Sequence, residues 1–148
     1  MSSRRSAALS RRSSCSSIFV TAIDSDPLSP DPDVVLDGQM DDFQRGLSAL
    51  TTLTEGPVFL CRPPGSKIEP GNAPRAQVEE FAGKHPAGLA GTHIHFLDPV
   101  HRQKVVWYIG YQDVAAVGRL CETGKLPVGR TVALCGPAVI RPRLLKTR

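Results

Sequence analysis

The sequence predicts an α/β fold: a mostly parallel sheet of about four or five strands flanked by helices. Three observations point there. First, an apolar β-branched run from Ile18 to Ile23, an amphipathic helical pattern through Leu36 and Leu50, and a second apolar run from Pro57 to Cys61 follow in strand–helix–strand order. Parallel neighbours need a crossover of about a dozen residues or more, which this βαβ spacing supplies. Second, a strand pattern from Lys104 to Ile109 runs straight into a helical pattern from Tyr111 to Glu122. Third, 148 residues at 41% hydrophobic content suffice for one domain with a core. Yet no run approaches the roughly 20 apolar residues of a membrane helix.

The elements follow in order. Ile18 to Ile23 is a buried strand. A turn-rich stretch holds Pro27, Pro30 and Pro32. Leu36, Met40, Phe43, Leu47 and Leu50 then recur at steps of four, three, four and three, which puts them on one helical face. Asp31 fits the N-cap and Pro32 the first helical position. Asp33 and Asp37 lie early, where the helix dipole favours acids. Gly38 and Gly46 would weaken this single helix locally. Residues 62–76, with four prolines and two glycines, form a loop. Gln77 to Ala82 is a further strand candidate. In the second long helix, Val114, Val117, Leu120 and Cys121 share one side, and Gly124 is its stop. Thr131 to Cys135 is one more strand. No internal repeat is visible. The arrangement is Rossmann-like, but the dinucleotide fingerprint G-x-G-x-x-G is absent, as is any Walker A pattern.

Charge divides the chain unevenly. The net charge is +4, and residues 1–17 account for it with Arg4, Arg5, Arg11 and Arg12 and no acid. The rest holds 14 basic and 14 acidic groups, so a general nucleic-acid surface is unsupported. Residues 1–16, Ser/Arg-rich and without apolar periodicity, are expected to be disordered. A transit peptide or a misassigned start would account for them. Residues 17–140 form the expected α/β domain. Residues 141–148, with Arg141, Arg143, Lys146 and Arg148, are basic again. Cys15, Cys61, Cys121 and Cys135 lack C-x-x-C or finger spacing. Cys61 and Cys135 end runs that read as core strands, so buried free thiols are expected in preference to disulfides.

Candidate chemistry is sparse. On a strand, His93 and His95 would face one side, as metal ligands do. No carboxylate or third histidine follows at a fitting interval, so a structural or hydrogen-bonding pair, or contact with a ligand or neighbour, competes with the metal reading. The run from Pro86 to Thr92 has Gly88 and Gly91 three apart. It would bring backbone N–H groups against a phosphate or flavin, or simply make a tight turn before a packed element. Gln112 and Asp113 open the second helix, with Asp113 as a candidate N-cap. Trp107, Tyr108 and Tyr111 would form an aromatic knot, either in the core or as the wall of a ligand or protein interface. No G-x-S-x-G elbow is present, and nothing marks an iron–sulfur, haem or zinc site. Thus no catalytic residue and no metal site is assigned. His93, His95, Tyr111 and Gln112 are the ligand or interface candidates.

The motifs Gly88-Leu89-Ala90-Gly91-Thr92-His93-Ile94-His95-Phe96-Leu97 and Ile109-Gly110-Tyr111-Gln112-Asp113-Val114 closely resemble the middle of the A subunit of the Na+-translocating NADH:quinone reductases. The likeness extends from Ile18-Phe19-Val20-Thr21-Ala22-Ile23-Asp24 to Pro142-Arg143-Leu144 and covers roughly residues 17 to 148. Ala90 stands where that family usually has proline. The resemblance implies a peripheral subunit on the cytoplasmic face of a bacterial inner membrane. It implies partners among the other subunits of the complex, including membrane subunits, and proximity to ubiquinone. In such complexes NADH, flavins, an iron–sulfur centre and ubiquinone serve in electron transfer coupled to Na+ export. This chain is expected to hold none of these cofactors firmly and to be inactive alone. It is expected to be a fragment, with residues 141–148 opening a following β-rich domain. Two other readings stay open: a flavin- or nucleotide-binding oxidoreductase domain, motivated by the βαβ start and the glycine loop, and a non-functional gene fragment.

Overall fold

A computed structural model describes residues 15–147. The parallel sheet is formed by β1 (Ser17–Thr21), β2 (Val58–Arg62), β3 (Ala76–Glu80) and β4 (Val106–Gly110), in the order β3-β2-β1-β4. All three pairings are parallel: Val20 lies opposite both Leu60 and Ile109, and Leu60 opposite Val78. The expected α/β architecture is present with four strands in this sheet.

The two faces of the sheet are covered by different helices. Alternate strand residues point to opposite faces. Ile18, Val20, Val58 and Leu60 share a buried cluster with Phe43, Leu47, Leu50, Val114 and Ala115, from α2 (Met40–Leu50) and α4 (Tyr111–Thr123). Phe19, Phe59 and Cys61 point the other way, toward Ile94 and Leu97 of α3 (Ala90–Leu97), with Phe81 and Val106 alongside. The strands are therefore apolar on both sides, as an internal parallel sheet requires.

The single helix expected from Pro32 to Leu50 is two. Asp31 caps α1 (Pro32–Val35) by accepting from the Asp33 amide at 2.9 Å, with Pro32 at its start. Gly38 then turns at φ 72°, a left-handed conformation that glycine adopts without a Cβ penalty, and α2 starts afresh. The apolar spacing survives because both pieces pack on one face of the sheet. Between β2 and β3 the crossover is an irregular loop. Arg62 pins it by donating to the Ile68 carbonyl at 2.6 Å and pairing with Glu69 at 2.8 Å, while Ile68 is fully buried.

The strand expected at residues 131–135 does not join the sheet. It is β5 (Thr131–Leu134), paired antiparallel with β6 (Arg143–Lys146) in a separate ribbon. Cys135 is only half-buried as a result, not a core thiol. All four cysteines are free: Cys15 and Cys61 are buried and Cys121 is exposed.

The expected disorder of residues 1–16 falls mostly outside the described residues. Cys15 and Ser16 are described and belong to the fold. Ser16 donates to the Val105 carbonyl at 2.8 Å, and Thr54 donates to that of Cys15 at 2.6 Å.

Candidate functional site

In open parallel sheets, ligand crevices form at the carboxyl ends of the strands, where the strand order reverses. Here the chain leaves β1 for β2 on one side, while β4 lies on the other. A crevice of about 340 Å³ opens between the ends of β1 and β4, edged by Asp24, Pro30, Gly110, Tyr111, Gln112 and Asp113. The loop after β1 is where a dinucleotide-binding fold presents glycine N–H groups to a pyrophosphate. In this chain it carries Asp24, Asp26 and Asp31 instead. Asp24 accepts from the Asp26 amide at 3.0 Å. Three carboxylates at this position repel a phosphate.

The glycine loop before α3 is a packing device. A Cβ on Gly88 would lie 2.5 Å from the Ser25 nitrogen and 3.0 Å from the Asp24 carbonyl carbon. The Gly88 amide donates to Ser25 Oγ at 2.8 Å. Gly88 is needed for the close approach of two loops, and its N–H is already spent. Beside it, Ser25 Oγ lies 3.3 Å from His85 Nδ1, and Asp26 lies 3.1 Å from the same nitrogen. A serine relay needs the carboxylate and the hydroxyl on opposite ring nitrogens. Both partners here compete for one, so these residues are not a hydrolytic triad.

The four candidates from sequence separate in space. His93 and His95 are on helix α3, not on a strand. Two residues apart on a helix is about 200° of rotation, so they cannot share a ligand. The physical reason is the Ala90–Leu97 stretch itself: its first turn closes from Leu89, whose carbonyl receives the amides of Thr92 and His93. His93 is fully buried against Phe81, with ring centroids 4.2 Å apart. Its Nε2–H donates to the Ala87 carbonyl at 2.8 Å, and Nδ1 has no partner. Burial pushes its pKa below the ordinary histidine value, against the opposing effect of that hydrogen bond. It is a neutral structural histidine. His95 is exposed, edge-on to Phe96 at 5.2 Å.

Tyr111 is buried at the start of α4, and burial raises its pKa; a hydrogen bond with Gln112 opposes this, and Asp24 and Asp31 add to the rise. Gln112 spends both ends of its amide on one residue. Nε2 donates to the Thr131 carbonyl at 3.0 Å and Oε1 accepts from the Thr131 amide at 3.0 Å. It thereby acts as a strand partner that ties the β5–β6 ribbon to α4. Only Tyr111 and Gln112, adjacent in sequence, meet at one crevice. Asp113 is not the N-cap: Gly110 holds that position, and Asp113 sits in the first turn, paired with Arg130. The expected aromatic knot is also absent. Trp107 shares a side of the sheet with Ile18 and Tyr108 shares the opposite side with Phe19. Because β4 is an edge strand, both are largely uncovered, at 48% and 68% exposure.

A second, larger cleft escaped sequence reasoning. About 500 Å³ in volume, it lies where the ribbon meets α4 and the α1–α2 turn. Leu36, Ala115, Ala116 and Pro127 give it an apolar lining, and Arg119 of α4, Arg130 just ahead of β5 and Lys146 of β6 reach it. No local pattern marks it, because the basic residues come together only through the ribbon's placement. Among the described residues, no group of three or more His, Cys, Asp or Glu could hold a metal ion.

Comparison with known proteins gives this α/β domain a place. The family described as the NqrA second alpha/beta domain matches residues 6–126. The chain belongs to this family. The match opens well ahead of Ser17, where family-like sequence was expected to begin. The chain is similar to the A subunit of the Na(+)-translocating NADH-quinone reductase of Marinomonas sp. (strain MWYL1), with 57% identity over 132 residues covering 89% of this chain and 29% of the relative. The same subunit of Rhodopirellula baltica is 55% identical over 132 residues, again with 89% and 29% covered. That of Cellvibrio japonicus is 54% identical over 132 residues, with 89% and 30% covered. The chain thus spans under a third of the length of these curated relatives. It corresponds to a part of the NqrA polypeptide, and its four-stranded parallel sheet is the fold expected of an α/β domain.

Proposed function

We propose that this chain supplies the second α/β domain of NqrA in a Na+-translocating NADH:quinone reductase and serves there as a scaffold. The observation that carries the proposal is the 57% identity over 132 residues with a protein of that name. In this reading the complex oxidises NADH, reduces ubiquinone and exports Na+. Flavins and the iron–sulfur centre reside in other subunits. This chain holds no redox cofactor, contributes no catalytic residue and is inactive alone.

Side-chain chemistry supports a scaffold role. The crevice at the strand ends is acidic, Gln112 is committed to Thr131, and the buried Cys61 thiol is pushed up to about 12 by burial, with Glu79 adding to the shift. Placement at the cytoplasmic face of the inner membrane, near ubiquinone, would come through partner subunits. None of the described helices is long and apolar enough to cross a membrane.

Expression of tagged chain with the remaining subunits of the complex tests this. The chain is expected to co-purify with the membrane subunits in detergent. Reproducible absence from a complex that retains its other subunits would overturn the proposal.

A further inference from the structure

We propose that the cleft between α4 and the β5–β6 ribbon binds a small phosphate monoester. Such binding does not depend on the role in the reductase. Its basis is a contrast between the two concavities, which share Arg130. The crevice at the strand ends is lined by Asp24 and Asp113 against Arg130 alone. The cleft is lined by Arg119, Arg130 and Lys146 against Asp37 alone, in a chain whose residues beyond 17 carry equal numbers of acids and bases. An anion that the strand ends repel is therefore attracted on the other side of the same arginine.

The cations differ in how firmly they are engaged. Arg130 pairs with Asp113, which fixes its position. Arg119 is 60% exposed and only loosely paired with Asp42, at 3.9 Å. Lys146 has no ion-pair partner among the described residues. Two cations are thus available to a ligand, and a phosphate monoester carries about two negative charges at neutral pH. A guanidinium offers its planar fork to phosphate oxygens and an ammonium adds a point charge. The volume of about 500 Å³ falls within the range of small-molecule sites. Leu36, Ala115, Ala116 and Pro127 line the remainder of the cleft with apolar side chains, of which Leu36 and Ala115 are almost fully buried.

The walls are preorganised. The Gln112–Thr131 clamp holds the ribbon against α4. At the ribbon's end the Arg130 amide donates to Thr147 Oγ1 at 3.0 Å, and the Thr147 amide donates to the Arg130 carbonyl at 2.8 Å. The backbone walls therefore need little ordering on binding, and the entropy cost falls on the Arg119 and Lys146 side chains.

The test is a nitrogen–proton correlation NMR titration of the 148-residue chain with AMP, inorganic phosphate and adenosine. AMP and phosphate are expected to give saturable shifts at Gly38, Gly129 and Thr131, and adenosine none. Arg119→Gln and Lys146→Gln should each weaken AMP binding about tenfold without moving Tm. Asp24→Asn should leave it unchanged. The proposal is overturned by an absence of saturable shifts, by equal binding of adenosine, by shifts confined to Asp24 and Tyr111, or by indifference to both substitutions.

Discussion

Gly118→Ala should destabilise this protein severely for the addition of one methyl group. A Cβ at Gly118 would sit 1.7 Å from the Asp42 carbonyl oxygen, 2.7 Å from its carbon and 2.7 Å from the Gly46 nitrogen. A Cβ at Gly46 would meet the Val114 oxygen at 1.9 Å. The backbones of α2 and α4 therefore touch at this glycine pair. Carbon–oxygen contacts settle at roughly 3.3–3.6 Å, so the helices must part by about 1.5 Å. The obstructing atoms are backbone, and no side chain can swing aside. Separation would loosen Phe43 and Leu47 from Val114 and Ala115. Overpacking costs about 1–3 kcal/mol, occasionally more, and lost dispersion across the gap adds to it. Against this, alanine gains about 1 kcal/mol over glycine in a helix interior. The overpacking and propensity terms leave a net loss of up to about 2 kcal/mol, to which the lost dispersion adds, so Tm should fall by about 4–8 °C at this chain length. Gly91→Ala is the control, since nothing lies within 4 Å of its Cβ position. It should be neutral or stabilise by up to ~1 kcal/mol. Urea unfolding followed by circular dichroism reads both. If Gly118→Ala matched Gly91→Ala, the glycine contact would not govern helix packing.

Further consequences follow from His93, the thiols and Gln112. His93 is buried neutral with a lowered pKa, whereas an unfolded histidine titrates near ~6.5. As pH falls below about 6.5 the unfolded chain takes up the proton first, so this contribution is present above that pH and lost below it. The urea midpoint should drop between pH 7.5 and 5.5, and His93→Phe should flatten that drop; an equal drop in the variant would exclude His93 as its source. In maleimide labelling at pH 7.5, exposed Cys121 should react first, and buried Cys61, with its thiol pushed up to about 12, should stay unmodified until unfolding. Prompt labelling of Cys61, read by mass spectrometry, would contradict its burial. Gln112→Ala removes both bonds to Thr131 and should raise amide exchange at Thr131 about tenfold or more while the main sheet keeps its protection. Unchanged exchange there would mean that the ribbon is held by other contacts.

Much of this architecture is legible from local pattern. Ile18 to Val20 and Val58 to Cys61 are apolar without alternation, which only a strand covered on both faces tolerates. Asp31-Pro32 and Gly124 mark helix ends through their own chemistry, and each does so in the structure. The errors share a cause. Gly46 reads as a weak point in a helix, yet it permits the close backbone approach of α2 and α4, because its value lies in a partner 72 residues away at Gly118. His93 and His95 look like paired donors in one dimension, and α3 turns them apart.

Among the site candidates, sequence brought Tyr111 and Gln112 to one place because they are neighbours at the strand-to-helix junction. It could not show that Gln112 is consumed by Thr131, nor that Arg119, Arg130 and Lys146 converge. Local propensity, capping and apolar periodicity act within a few residues, so sequence by itself determined the strands of the parallel sheet, the second long helix and the family, but neither α3 nor the break between α1 and α2. Which glycines touch, which polar atoms are spent and which charges share a cleft depend on elements distant in the chain. Tertiary packing alone decided those.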